Sequence, residues 1–123
     1  MPTEPAPLTL SEAVHKAVET CSLSADSEPL DEFLERFEDA DEPISAIANI
    51  DELIAEAVGT IAADDPAPEL RMAGAVVVYL AFRRDEIRAE PEELLRLAAR
   101  SEFDGHPPPE IVEWLEDQGV SLR

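Results

Sequence analysis

Residues Glu69–Arg84 read E-L-R-M-A-G-A-V-V-V-Y-L-A-F-R-R, and Met72 to Phe82 carries no charged residue in a chain otherwise dense with charge. A surface helix shows one apolar stripe, so an element that is apolar all round must be enclosed by other elements. The run is too short for a membrane span, which needs about 20 apolar residues. Val76, Val77, Val78, Tyr79 and Phe82 favour strand by propensity. The punctuation favours helix. Pro68 suits a first helical turn, Glu69 follows at the positive end of the dipole, and Arg83 and Arg84 sit at the negative end. Leu70, Ala73, Val77, Leu80 and Ala81 keep helical spacing. The stretch is therefore read as a buried central helix over about 69–86. Gly74 costs about 1 kcal/mol in a helix interior, which marks the close approach of a neighbour.

Outward from that helix, start and stop signals divide the chain into short helices. Thr9 and Glu12 form a capping box for a first helix over about 10–21. Ser27 with Pro29 opens a second, through Phe37, with Leu30, Phe33, Leu34 and Phe37 as its stripe. Ile44–Ala63 holds a third helical region, broken near Asn49, with Asp51 as the expected N-cap of its second part. Asp64–Pro68 ends that region before the central helix. Pro91 opens a fifth helix through Arg100, and Pro109 opens the last, closed by Gly119 as C′. Hairpin turn signals and period-two alternation are absent. The expectation is an all-α compact bundle of five or six short helices around the central one. Residues 1–8 form a Pro-rich flexible tail, 9–119 one helical domain and 120–123 a second tail.

The 123 residues suffice for one core. There are 29 acidic residues against 9 basic, a formal charge of -20 and a pI near 4.1. Such a surface repels nucleic acid, whose binding rests on Lys and Arg against phosphates. Yet 45% of the residues are hydrophobic, so this is no disordered acidic tail. An acidic surface over a real core, with Lys16 the single lysine, resembles the proteins of salt-in halophiles, haloarchaea above all. In molar salt the Debye length falls to about 3 Å and the self-repulsion is screened. The competing reading is a nucleic-acid mimic or an acidic partner of a basic protein. Met1–Pro7 has neither a basic start nor an apolar core, so no signal peptide is read and a cytoplasmic protein is expected.

With the helices placed, Asp51–Glu116 resembles a cyclin box of the cyclin and transcription factor B families. The residues that carry it are A-G-A-V-V-V-Y-L-A-F-R-R at 73–84, E-E-L-L-R-L-A at 92–98 and E-I-V-E-W-L at 110–115. The chain holds room for one such repeat and no cysteine pairs for a zinc ribbon. The Lys–Glu pair by which cyclins grip kinases has no counterpart here. What the resemblance implies is a cyclin-box-like fold used as a protein-docking module.

Chemistry is sparse. His15 and His106 lie far apart in sequence, and read as incidental rather than as a shared metal site. Cys21, the one cysteine, excludes an internal disulfide and reads as a small buried side chain rather than a reactive thiol. The carboxylate runs at Glu38–Glu42, Asp64–Asp65 and Glu90–Glu93 read as solvated surface. None has the spacing of a calcium loop, and four glycines leave no phosphate loop. No catalytic residue, cofactor or metal is assigned. The candidate interaction residues are Arg83, Arg84, Arg88, Arg96 and Arg100, which form either a basic patch or a set of local ion pairs, and Trp114 as a core or interface anchor. The function expected is a non-enzymatic protein-binding regulator, adaptor or subunit, with a homodimer a further option and no membrane or nucleic-acid partner. The alternative is a DNA-associated transcriptional regulator that docks Glu92–Leu115 as a degenerate helix-turn-helix through the Arg cluster.

Overall fold

The computed structural model describes residues 8–21, 28–62, 67–82, 90–103 and 105–120, Ser45 by its backbone alone. Those residues form an all-α bundle: α1 Leu10–Cys21, α2 Glu28–Arg36, a short 3-10 turn Ile44–Ala46, α3 Ile50–Ile61, α4 Pro68–Phe82, α5 Pro91–Glu102 and α6 Pro109–Asp117. Pro68, Pro91 and Pro109 each stand first in their helix, where a missing N–H costs nothing. The expected break near Asn49 is present, between the 3-10 turn and α3. The N-cap there is Asn49, without a side-chain cap bond, and Asp51 lies inside the first turn. Asp51 is therefore not the cap, but it remains at the positive helix end, where a carboxylate is favourable. Residues 83–89, into which the central helix was expected to run, lie outside the described residues.

The central helix α4 touches every other helix and the 3-10 turn. Leu70, Met72, Ala73, Gly74, Ala75, Val76, Val77, Tyr79 and Leu80 are all buried along it, as a helix without a polar face requires. Its last residue departs from that pattern: Phe82 is 74% exposed. The largest shared surface is with α1, whose inward residues Ala13, Val14, Ala17, Val18 and Cys21 are mostly small. Small side chains let two helix axes approach closely. Leu94, Leu95, Ala98 and Ala99 of α5 cover another side, and Ile111 and Leu115 of α6 a third. Phe33 and Phe37 meet edge to face at 5.4 Å at the end of α2, a favoured aromatic geometry.

The start of α1 is held twice. The capping box forms: the Glu12 N–H donates to Thr9 Oγ1 at 3.1 Å, and the Thr9 hydroxyl donates to Glu12 Oε1 at 3.1 Å. The loop after α2 then supplies acceptors that sequence did not reveal. The N–H groups of Leu10 and Ser11 donate to the carbonyls of Glu42 and Ala40, both at 2.9 Å, and Ile44 N–H returns to Leu8 at 2.8 Å. These satisfy first-turn donors that a helix leaves without partners. The associated Thr9–Pro43 bridge is the only extended pairing among the described residues. At the other end, Gly119 takes φ +81 and its N–H bonds Glu116, while Val120 N–H bonds Leu115. That is a Schellman closure, and it draws Val120, one residue past the expected domain edge, into the core at 2% exposure. Among the described residues, no helix is long and apolar enough to cross a membrane.

Candidate functional site

A cleft of about 300 Å³ runs between α3 and α4 and is closed at one end by the C-terminus of α5. Its origin is a register of small residues. On α3, Asp51, Ala55, Val58 and Gly59 share a face, and on α4 Arg71, Gly74, Ala75 and Val78 do the same. A Cβ at Gly59 would meet nothing within 4 Å, so larger side chains there and at Ala55 would fill the space, whereas Gly74 lets α4 sit close to Ile54. The volume is near the lower end of ligand-sized pockets, which run to about 1,000 Å³.

Charge gathers at the α5 end. Arg71 Nη1 donates to Glu110 Oε1 at 2.8 Å, with the Arg71 side chain 29% exposed and that of Glu110 62%. The guanidinium carbon also stands 5.7 Å from the ring centroid of Phe103, within cation–π range. Arg71 thus links α4, the end of α5 and the first turn of α6. A partly exposed ion pair contributes at most about 1 kcal/mol, so its main effect is to fix direction. Glu102 and Asp51 line the same cleft. Partial burial, and then the nearby Asp51 charge, push the Glu102 carboxyl above its ordinary pKa, while Arg71 pulls it part of the way back. Arg71 thus pairs with Glu110 and acts on Glu102, and Glu102 in turn feels the charge of Asp51.

Of the sequence candidates among the described residues, none lines the cleft. Arg96 is half-buried and Arg100 exposed on α5, and each already engages a neighbour. Arg83, Arg84 and Arg88 lie outside the described residues. Trp114 is half-buried on α6, packed against the core. Arg71 does not stand out in the sequence because it borders the apolar run of α4. The available signal was its position: a lone cation at the edge of a buried helix requires a carboxylate from another element.

Cys21 is buried, and burial together with the Glu69 charge drives its thiol pKa far upward, so it stays protonated and unreactive. His15 and His106 are both exposed. Among the described residues no group of three or more His, Cys, Asp or Glu could hold a metal ion. Compared with known proteins, the chain matches no family model, no curated protein and no solved structure.

Proposed function

We propose that this protein is a non-enzymatic helical module that works by docking on another protein, as a regulator, adaptor or subunit, and that the partner presents positive charge to it. The observation that supports this reading best is the α3–α4 cleft, with an apolar floor, the carboxylates of Asp51 and Glu102 in its lining, and an Arg71 already paired to Glu110. A net acidic rim on a body of charge -20 attracts cations over a long range at low salt. The docking role also agrees with what the cyclin-box resemblance implies. In this reading the acidic surface serves recognition. An adaptation to molar salt, which the resemblance to haloarchaeal proteins implies, would remove the argument for a basic partner.

Two measurements test it. Circular dichroism with light-scattering mass, across salt from about 0.1 to 3 M where screening becomes nearly complete, identifies where the chain is folded. A folded protein at low salt is the expected result; helix that forms only in molar salt returns the acidity to solvent adaptation. Under folded conditions, the ¹⁵N-labelled protein is titrated with a lysine-rich amphipathic helical peptide and with its glutamate-rich counterpart. Saturable shifts confined to one face with the basic peptide alone support docking. Diffuse shifts, or none with either peptide, overturn it.

A further inference from the structure

Resting on that docking reading, we propose that the α3–α4 cleft receives a lysine side chain of the partner, with its aliphatic stem along the apolar floor and its ammonium at the Asp51–Glu102 end. The floor and the charged end match the two parts of a lysine, which lays its methylenes on apolar surface while its head seeks carboxylates. Ile54, Val58, Ala75 and Val78 supply the floor. Asp51 and Glu102 supply acceptors on two different helices, close enough for Asp51 to disfavour ionisation of Glu102. A cation bound at that end of the cleft would offset the repulsion between them. Arg71 does not already do so in full, because its guanidinium is committed to Glu110 at 2.8 Å and lies over the Phe103 ring.

The same contacts favour lysine over arginine. Arginine gains by stacking on an aromatic face and by forked bonding to a single carboxylate. Here the Phe103 face is held by Arg71, and the two open carboxylates belong to different helices. A compact ammonium with three donors suits that arrangement better. A second copy of this chain is a poor source, since it carries one lysine, Lys16, half-buried on α1. The occupant therefore comes from a different, basic protein.

The test uses the full chain and three small probes, each blocked at both termini: N-acetyl lysine methylamide, the arginine analogue and the norleucine analogue. Amide shifts are followed at Ile54, Val58, Gly74 and Ala75. The expected result is saturable binding of the lysine probe in the cleft, tighter than both others. It should weaken on the order of tenfold in an Asp51→Asn, Glu102→Gln double variant, as the loss of two partly exposed charge contacts implies. Both positions are exposed, so the variant should fold, which circular dichroism checks. Equal binding of lysine and norleucine, tighter binding of arginine, or shifts scattered over the acidic faces would overturn the inference. If the basic peptide still binds a single face while the lysine probe leaves the cleft untouched, the lysine assignment fails and the docking reading survives. If neither binds, both fall.

Discussion

Gly74 and Ile54 approach so closely that a Cβ built at position 74 would stand 3.0 Å from the Ile54 Cγ2 methyl. This contact brings α3 against α4 and defines the floor of the cleft. Two effects oppose each other at this position. Alanine gains about 1 kcal/mol of helix propensity over glycine. Forcing a methyl into a filled contact costs about 1–3 kcal/mol. Ile54 is buried, with little room to yield, so packing should win. Gly74→Ala should lower stability by about 1 kcal/mol. Ile54→Leu removes the Cγ2 branch, and in that background Gly74→Ala should become neutral or stabilising. A double-mutant cycle in urea measures the coupling directly. Additive effects would show that this approach does not constrain the interface.

Thr20 presents a different kind of defect. It is 1% exposed on α1, and its hydroxyl has no hydrogen-bond partner among the described residues. An unpaired buried hydroxyl costs about 1–3 kcal/mol. Thr20→Val keeps the shape and removes that cost, so the variant should gain about 1 kcal/mol and melt higher. A loss of stability would mean that the hydroxyl has a partner in solution.

Leu80 and Phe82 look alike in sequence and stand two residues apart on α4. Leu80 is fully buried, whereas Phe82 is 74% exposed. Leu80→Ala should cost about 2–5 kcal/mol, the range for cavity-forming core changes. Phe82→Ser should stay within about 0.5 kcal/mol, as exposed positions do. Denaturation midpoints of the two variants decide it, and comparable losses would place Phe82 in a packed environment.

Glu102 should make stability depend on pH in a defined direction. Burial and Asp51 raise its folded-state pKa above the ordinary 4.5, with Arg71 opposing. Folding therefore disfavours the charged form. The penalty is complete above the folded-state pKa, shrinks as pH falls through it, and vanishes below the unfolded value. Glu102→Gln should raise the Tm at pH 7, modestly because the site is partly solvated, and the advantage should disappear in acid. Melting curves of both proteins across that range test it; a pH-independent difference, or a less stable variant at pH 7, contradicts it.

Local devices were legible because their physics acts within a few residues. The Thr9–Glu12 capping box, the prolines that open α4, α5 and α6, and the Gly119 closure each depend on spacings that sequence displays. So does the buried character of α4, since no polar stripe could face water. Even Gly74 announced a close neighbour, though not which one.

Other features depend on where distant segments come to rest. The carbonyls of Ala40 and Glu42 that satisfy α1, the pairing of Arg71 on α4 with Glu110 on α6, and the exposure of Phe82 involve groups remote in sequence or the limits of their cover. The cleft is the clearest case. It consists of volume left vacant where small residues of α3 and α4 meet, and a vacancy between two helices has no residue of its own to be read. Sequence alone determined that the chain builds short helices around one that must be buried, because hydrophobic pattern and capping are local constraints. Tertiary structure alone decided which faces meet and which charges converge, because packing is settled between surfaces that the chain keeps apart.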